Sequence, residues 1–440
     1  MNITILKLQL IDIMLRRTSL IEYNQLLYSQ YCSPRELKQI QNYKLKKLIH
    51  YAYNNVPYYT NVMNSYGIKP NHIQSQKDLV LFPILTKKII KENFSCLLST
   101  KIRSLRPVRK ITGGSTGVPL QYLITRGVES VSWGSIWRAW NVGGYSPGDK
   151  VVVLAGDSII GRGIRRSIYH RLNNWICLGI SVLDEDHLKY MYDMIKKTSC
   201  KLIYAYPTPL FVLAQYMKQH NLALKVGHIV TTSEMLFPDQ RNIIEHVFNC
   251  KIYDLYGAND GGVLGFECEY FNGYHLAMEK CITEIVDSSG QIARDSTVGD
   301  VILTDLENYA MPFIRYEVGD RGAISNVPCK CNRGLNRLEL MCGRIKDFVE
   351  LGNGKIIDGS YFTKRFRAIP GMLLFQIVQK PSKSIYAKVV PFNKNETRFL
   401  CDIGKLERTI SFELSIDFHI KVDDSFERSQ NQKFHYIIKE

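Results

Sequence analysis

The sequence predicts an α/β protein with a large N-terminal domain and a small C-terminal domain. From about residue 105, short β-branched runs alternate with helical stretches, and strands separated by helices form parallel βαβ units. Residues 281–325 instead alternate strands with turns such as DSSG, which indicates an antiparallel β subdomain. After Gly343 the pattern of predicted strands and helices changes again. We therefore expect a core at 1–343 and a small α+β domain at 344–440.

The N-terminal core divides further. Residues 1–65 are predicted to be helical, with Ser33-Pro34-Arg35-Glu36 as a helix start. The β subdomain is predicted over about 265–343. Parallel strands are predicted at VVVLAG (151–156), KLIYAY (201–206), HIVTTSE (228–234) and KIYDLYG (251–257), with a helix that starts near Pro209 and runs to about His220. Ligands bind at the carboxyl ends of such strands, so functional residues are expected there.

Composition narrows the class of protein. The chain has 440 residues, of which 45% are hydrophobic and 22% are charged, which excludes disordered and fibrous proteins. The 11 cysteines are an odd number and are spread along the chain, unlike a disulfide framework. We therefore expect a reduced, cytoplasmic compartment.

The charge is strongly basic but dispersed. With 57 Lys+Arg and 41 Asp+Glu the formal net charge is +16. The densest basic stretch, residues 161–171, contains no acid and four arginines: Arg162, Arg165, Arg166 and Arg171. We interpret it as a solvated surface. No specific nucleic-acid partner is predicted, because no zinc-finger, RRM or KH signature occurs.

The first residues, MNITILKLQLIDIMLRR, place apolar side chains at helical spacing, interrupted by Lys7 and Asp12. They lack the features of a signal peptide, and no uninterrupted apolar run is long enough to predict a transmembrane segment. We interpret them as a helix that packs on its own domain. Peripheral contact with a membrane surface is the alternative.

A glycine-rich loop is the first motif that carries chemistry. Its backbone N–H groups and hydroxyls can surround phosphate oxygens, although it is not a Walker A loop, because no Gly-Lys-Ser/Thr follows. A simple hairpin turn is the alternative. The loop residues are Thr112, Gly113, Gly114, Ser115, Thr116 and Gly117.

Three further motifs follow in order. Tyr256-Gly257-Ala258-Asn259-Asp260 lies where a predicted parallel strand ends, and PFIRYEVGD (312–320) and GRIKD (343–347) come later. The first of these three is weak by itself, because a strand that ends in an Asn-Asp-Gly turn is common.

In this order, the four motifs resemble those of the adenylate-forming superfamily of acyl-CoA synthetases and adenylation domains. The resemblance is strongest to the phenylacetate-CoA ligase and coenzyme F390 synthetase branch, whose members are often named CapK and assigned to capsule biosynthesis. It covers nearly the whole chain, including the segments at 50–63, 81–94, 204–216 and 369–378.

The resemblance implies ATP-dependent activation of a carboxylic acid, which gives an acyl-adenylate and pyrophosphate. The acyl group then passes to CoA or to an amine or hydroxyl acceptor, in polysaccharide or secondary-metabolite biosynthesis. Two alternatives stay open: a catabolic aryl- or acyl-CoA ligase, and a nucleotide-binding scaffold with impaired catalysis.

The resemblance also implies roles for individual residues. The loop 112–117 would hold the β- and γ-phosphates, with Thr116 catalytic. Tyr256 would stack on adenine, and Asp320 would accept hydrogen bonds from the ribose. Other positions that match the family's nucleotide site are Glu234 (with a helix cap as the alternative), Gly257, Ala258, Asn259 and Arg344, which would contact the ribose.

The remaining roles concern catalysis and motion. Lys433 would approach the α-phosphate as the catalytic lysine, Asp260 would bind Mg²⁺, and Lys346 would be the hinge of a mobile C-terminal domain. The chain departs from the family pattern in three places. Val118 stands where a polar residue is usual, Asn259-Asp260 replaces Ser/Thr-Glu, and Gln432 replaces a glycine.

Cysteine spacing predicts a separate metal site. Cys268, His275, Cys329 and Cys331 supply four ligands of the kind that bind tetrahedral Zn²⁺. FECEYFNGYH and PCKCNRG also resemble a cysteine-bearing insertion of the same branch. We expect a closed structural zinc site. Cys281 or Cys342 could replace one ligand, and buried free cysteines are the alternative interpretation.

Overall fold

The structure is a computed structural model, which describes residues 3–111, 120–161, 163–180, 183–258, 263–287, 289–340, 348–392, 397–423 and 434–440. The α-helices are α1 (Ile3–Leu15), α2 (Ser19–Ser29), α3 (Pro34–Asn55), α4 (Pro57–Ser65), α5 (Lys87–Glu92), α6 (Ile102–Leu105), α7 (Arg126–Asn141), α8 (Asp157–Ile160), α9 (Ile164–Leu172), α10 (Glu185–Thr198), α11 (Pro207–Gln219), α12 (Pro238–Phe248), α13 (Gly359–Arg367) and α14 (Thr397–Leu414). Short 3₁₀ helices lie at Pro70–His72 and Gln76–Leu81.

The strands follow the same chain order. They are β1 (Val108–Ile111), β2 (Gln121–Ile124), β3 (Val151–Ala155), β4 (Trp175–Gly179), β5 (Leu202–Ala205), β6 (His228–Thr232), β7 (Ile252–Ala258), β8 (Val263–Phe266), β9 (Tyr274–Leu276), β10 (Cys281–Val286), β11 (Gly299–Asp305), β12 (Tyr316–Ser325), β13 (Arg337–Leu340), β14 (Phe348–Glu350), β15 (Ile356–Asp358), β16 (Met372–Gln379), β17 (Ile385–Pro391), β18 (His419–Val422) and β19 (Ile437–Lys439).

The predicted helical start is present as α1–α4. Helix α3 begins as the sequence predicts: the Ser33 hydroxyl accepts a hydrogen bond from the Glu36 N–H at 3.3 Å, and the Glu36 carboxylate accepts one from the Ser33 N–H at 2.7 Å. This reciprocal pair is a capping box, which satisfies two backbone donors at the helix start.

Among the described residues, eleven strands form one main sheet, in the order β10-β11-β12-β13-β9-β8-β7-β6-β5-β3-β4. Strands β3 to β7 are parallel and make the parallel half, whereas β8 to β13 pair antiparallel and make the antiparallel half. The predicted β subdomain is therefore continuous with the parallel strands, because β8 pairs with β7.

Strands β3, β5 and β6 are buried along their whole length, as expected for parallel strands that are covered on both faces. One boundary differs from the prediction. Helix α11 begins at Pro207 rather than at Pro209, because Pro207 fits the first helical turn, where its missing N–H costs nothing.

The C-terminal residues form a second sheet, β18-β17-β16-β19, with α13 and α14. Its core includes Phe362, Phe366, Phe375, Ile403 and Ile410. The predicted boundary at residue 343 lies outside the described residues and stays a prediction. Among the described helices, none combines the length and apolar character that crossing a membrane requires.

Candidate functional site

Glu234 lies just beyond β6, at the edge where the parallel strands end. Its carboxylate accepts a hydrogen bond from the Thr208 N–H at 3.0 Å and another from the Phe434 N–H at 2.8 Å. Thr208 is in the first turn of α11, whose positive dipole end favours a carboxylate. Ser233, before it, has φ 72°, a conformation that costs energy for a residue with a Cβ and that is common at functional sites.

Phe434 ties the C-terminal segment to this edge. Its side chain is buried and its ring lies 4.9 Å from that of Tyr436. Arg367 of α13 adds a second tie, because its guanidinium contacts the Asp239 carboxylate at 2.7 Å and lies 4.3 Å from the Phe237 ring. Lys433, the predicted catalytic lysine, is outside the described residues. Its next neighbour in the chain is held at the predicted nucleotide edge.

Tyr256 and Asp320 meet at the same end of the sheet. The Tyr256 hydroxyl donates a hydrogen bond to Asp320 Oδ2 at 2.9 Å, and both residues are buried. Gly319, before Asp320, has φ 90°, a left-handed conformation that favours glycine. The structure thus brings together the two side chains that are predicted to contact adenine and ribose.

This contact requires the sheet to curl. Strands β8, β9 and β13 lie between β7, which carries Tyr256, and β12, which carries Asp320. In a flat sheet four strand spacings would separate the two backbones by about 19 Å, far beyond the reach of two side chains. The antiparallel half therefore curves back toward β7 and closes one wall of the site.

Of the other residues that are predicted to bind the nucleotide, the structure describes only some. Gly257 is exposed in β7, and Ala258 ends that strand. Strands β1 and β2 form an antiparallel hairpin with Ile111 opposite Gln121, which holds together the two ends of the glycine-rich segment. Outside the described residues lie Thr112, Gly113, Gly114, Ser115, Thr116, Gly117, Asn259, Asp260, Arg344 and Lys346.

A cluster of cations surrounds Glu129 beside this hairpin. The Glu129 carboxylate contacts Lys110 Nζ at 2.7 Å, Arg126 Nη1 at 2.6 Å and Arg17 Nη2 at 3.0 Å. Burial raises the pKa of Glu129, but Lys110 and Arg17 outweigh it and lower that pKa to about 2. The cluster keeps an excess of positive charge two residues before Thr112. In the sequence, Lys110 just before the glycine-rich loop is the residue that indicates this cluster. Its partner Glu129, on α7, is not predictable from spacing.

The four predicted zinc ligands converge. The ligand atoms of Cys268, His275, Cys329 and Cys331 all lie within 4.8 Å of one another, and all four residues are buried. Cys268 follows β8, His275 is in β9, and the two other cysteines lie between β12 and β13. The Sγ atoms of Cys268 and Cys329 are 3.7 Å apart, and two thiolates on a tetrahedral Zn²⁺ lie about 3.8 Å apart.

The surroundings of this Cys/His cluster suit a metal. His275 Nδ1 lies 3.4 Å from the Leu335 carbonyl, which leaves Nε2 directed at Cys331 Sγ, 3.3 Å away. Burial, and then the charge of Arg333, lower the pKa of His275 to about 4, so that its imidazole is neutral at pH 7. Burial raises the pKa of the Cys268 thiol to about 12. A bound cation is what would ionise it at neutral pH.

A buried carboxylate connects the Cys/His cluster with the nucleotide edge. Asp254, in β7, accepts hydrogen bonds from the Thr231 hydroxyl at 2.5 Å and the Tyr274 hydroxyl at 2.7 Å, and its N–H donates to Glu267 at 2.7 Å. Glu267 and Tyr274 directly precede Cys268 and His275. The cluster therefore braces the strand that carries Tyr256. Asp254, an acid inside the otherwise apolar run KIYDLYG, is the feature of the sequence that indicates such a buried contact.

No protein-family model matches the chain. Protein CapK of Staphylococcus aureus is 22% identical over 397 residues, which cover 88% of this chain and 85% of that protein. Phenylacetate-coenzyme A ligase of Thermus thermophilus is 23% identical over 324 residues, 72% of each chain. The crystal structure of 2-hydroxyisobutyryl-CoA ligase in the postadenylation state superposes with a TM-score of 0.76 and 17% identity, over 94% of this chain and 91% of that one. The predicted α/β fold class is confirmed.

Proposed function

Because the chain belongs to the adenylate-forming superfamily, we propose that it activates a carboxylic acid with ATP and transfers the acyl group to CoA or to an amine or hydroxyl acceptor. The observation that carries the proposal is the hydrogen bond from Tyr256 to Asp320 at the carboxyl end of the parallel strands. This pair offers an aromatic face for a base and a carboxylate for a sugar diol, side by side.

In the first step, a carboxylate oxygen of the substrate attacks the α-phosphorus of ATP, and the bond from that phosphorus to the bridging oxygen of pyrophosphate breaks. Lys433 would stabilise the charge that develops between the substrate carboxylate and the α-phosphate. The hydrogen bond from Tyr256 would hold Asp320 in the orientation in which its carboxylate accepts a ribose hydroxyl. The glycine-rich loop 112–117 would hold the departing phosphates, beside the positive charge of Lys110.

In the second step, the acceptor attacks the acyl carbon and AMP leaves. The relative named phenylacetate-coenzyme A ligase supports CoA as the acceptor, with a thiolate as nucleophile. An amine or hydroxyl acceptor, in polysaccharide or secondary-metabolite biosynthesis, is a second form of the same proposal. Lys346 would be the hinge about which the C-terminal domain turns between the steps, and Arg344 would keep contact with the ribose.

Magnesium belongs to the first step. We propose that Asp260 holds Mg²⁺, which when bound neutralises charge on the triphosphate. Carboxylate oxygen is the donor that Mg²⁺ prefers, so the residue type fits. Asp260 is one methylene shorter than the glutamate of the family pattern.

Exchange of pyrophosphate into ATP, measured with a panel of aliphatic and aromatic acids, tests the adenylation step. We expect at least one acid to support exchange. We also expect Lys433→Ala to lower the rate by about 10²- to 10³-fold, the usual cost of losing one group that stabilises transition-state charge. Lys421→Ala, an exposed lysine of the same domain, is the matched control and should keep the wild-type rate.

Three outcomes separate the alternatives. Acid-dependent exchange followed by loss of the CoA thiol identifies a CoA ligase, whereas exchange without thiol loss directs the search to amines and hydroxyls. If no acid supports exchange and Lys433→Ala changes nothing, the catalytically impaired scaffold is left as the function. If an acid supports exchange and Lys433→Ala is as fast as wild type, the catalytic role of Lys433 is wrong.

We also propose that the Cys/His cluster holds one structural Zn²⁺. The distances among its donor atoms, their burial and the neutral imidazole of His275 support this assignment. The four ligands fill a tetrahedral coordination shell, so the ion would have no open position for catalysis. It would join strand β9 to the segment that follows β8 and to the segment between β12 and β13.

Metal analysis of the purified chain tests the zinc assignment. We expect about one equivalent of zinc, lost in Cys331→Ser and kept in Cys401→Ser, which alters an exposed cysteine. Cys281→Ser addresses the alternative ligand: its Sγ lies 4.0 Å from the Ala277 carbonyl, outside the cluster, and zinc should stay bound. Substoichiometric zinc that is indifferent to Cys331→Ser would refute the assignment.

A further inference from the structure

Helix α1 is apolar on two opposite faces, and among the described residues only one of these faces is buried against the protein. Leu8 and Ile11 pack inward, with 2% and 6% of their surface exposed. On the other side Leu6, Leu10 and Ile13 follow the i, i+4, i+7 spacing of a single helix face and are 42%, 51% and 72% exposed. A helix that is apolar all round is normally buried on every side, so this outer row calls for a partner.

Helix α9, which packs against α1, carries a second exposed apolar row. The two helices contact each other, and Arg17, just after α1, donates a hydrogen bond to Tyr169 of α9. Ile164 and Ile168 are 80% and 53% exposed and share one helix face with Arg171. We call the combined surface the α1–α9 face, formed by Leu6, Leu10, Ile13, Met14, Ile164 and Ile168.

The charges that border the α1–α9 face are basic. Lys7, Arg16, Arg166 and Arg171 are exposed. The one acid in α1, Asp12, is buried and accepts a hydrogen bond from the Leu20 N–H at 3.0 Å. Exposed apolar side chains within a rim of positive charge match the chemistry of an anionic lipid surface, where the apolar groups enter the acyl boundary and the cations meet the headgroups.

We propose that the α1–α9 face binds the surface of a membrane that contains anionic lipids. A second copy of the chain fits the face less well, because a symmetric pairing would oppose its basic rims. Nucleic acid would satisfy the arginines but leave the apolar row in water, since its surface offers mainly phosphate and sugar. The chain would then act at a membrane surface without crossing it, which suits an acid substrate or acyl acceptor carried on a lipid.

Co-sedimentation of the full chain with vesicles tests the proposal without any use of enzymatic activity, so its outcome is independent of the proposed reaction. We expect binding to vesicles of equal parts phosphatidylglycerol and phosphatidylcholine, and little binding to phosphatidylcholine alone. Rising salt should weaken the binding. Ile13→Glu should lower the partition coefficient by at least about tenfold, because it removes an exposed Ile that binding would bury in the lipid and adds a charge of the wrong sign. Arg171→Ala should lower it about fivefold, the effect of one basic residue near an anionic surface.

Two controls lie on the C-terminal domain. Phe412 of α14 is 87% exposed and apolar, and Arg408 of the same helix is exposed. Phe412→Glu and Arg408→Ala should sediment with anionic vesicles as wild type does. Sedimentation velocity of the wild type would detect association of two copies, and an RNA-binding assay would detect a nucleic-acid partner. The proposal is overturned if wild type ignores anionic vesicles, or if Ile13→Glu and Phe412→Glu behave alike. It is also overturned if the face proves to join two copies or to bind RNA while vesicles are ignored.

Discussion

The two halves of the main sheet hold their functional residues in place by different means. In the parallel half, strands such as β3 and β6 are buried throughout, and topology alone directs their carboxyl ends to one edge. In the antiparallel half the loops are long, and the Cys/His cluster joins Cys268 to residues 61 and 63 positions later. We infer that the first half depends on its apolar core, whereas the second depends on a few specific contacts.

The largest expected effect follows from removal of one cluster ligand. Cys331→Ser should lower the free energy of unfolding of the antiparallel half by about 3–5 kcal/mol, because the segments around β8, β9 and β13 would lose the Zn²⁺ that we propose joins them. Hydrogen exchange measured by mass spectrometry should show faster exchange in β8, β9 and β13, with little change in β5 and β6. If β5 and β6 exchange equally fast, the two halves are not stabilised separately. Cys401→Ser should leave both halves unchanged.

The next effect concerns acid stability. Glu129, on the helix that covers the parallel half, has a pKa lowered to about 2, so its ionised form stabilises the fold above about pH 4.5 and that stability is lost as pH falls toward 2. The advantage of wild type over Glu129→Gln should be about 3 kcal/mol at pH 7 and should shrink below pH 4.5. Urea unfolding followed by tryptophan fluorescence measures it. A difference that does not change with pH contradicts the prediction.

Glu284, in the antiparallel half, provides the opposite case. It lies 3.3 Å from Arg315, but burial raises its pKa to about 7. Its contribution to stability is full below about pH 4.5 and is lost as pH rises through 7, because the folded state must then hold the ionised form. Wild type should lose stability over this range relative to Glu284→Gln. The same urea titrations, run from pH 5 to 8, test the sign.

The predicted nucleotide site lies where the two halves meet, and substitutions there should weaken ATP binding moderately. Asp320→Ala should weaken ATP binding by about 10- to 100-fold, because hydrogen bonds to a charged group contribute about 1.5–3 kcal/mol. Tyr256→Phe keeps the ring and removes only the hydroxyl that orients Asp320, so a smaller loss is expected. Calorimetric titration with ATP measures both variants. Asp295→Ala, an exposed acid nearby in sequence, is the control. Equal affinity in Asp320→Ala and Asp295→Ala would falsify the ribose role.

The sequence predicts the parts of this molecule that depend on local pattern. Apolar runs predict β3, β5, β6 and β7 to within about two residues, and the capping box predicts the start of α3, because each rests on neighbouring side chains. The cluster ligands are predictable from residue type and spacing. The contact between Glu234 and Phe434, 200 residues apart, is not, since it depends on how the C-terminal segment packs against the end of β6.

The other contacts that the sequence does not predict depend on how distant segments come together. No spacing rule predicts that Tyr256 reaches Asp320, because three intervening strands must curl first. The three cations on Glu129 come from an N-terminal loop, a hairpin and a helix. The roles of the loop 112–117, Asp260, Arg344 and Lys433 rest on the resemblance and stay predictions.

The smallest expected effect tests whether the parallel half also needs an external contact. Arg367 of α13 links the C-terminal domain to Asp239 and Phe237, close to Glu234. Arg367→Ala should increase hydrogen exchange in the segment 233–240 by about fivefold, equivalent to about 1 kcal/mol of local stability. Arg365→Ala is a matched control on the same helix, because Arg365 pairs with Glu413 inside the C-terminal domain at 2.6 Å. If Arg365→Ala increases exchange in 233–240 as much as Arg367→Ala does, the effect does not come from the contact with Asp239 and Phe237. If neither variant increases exchange, the segment that holds Glu234 is stabilised by its own core, and the contrast between the two halves is sharper than we infer.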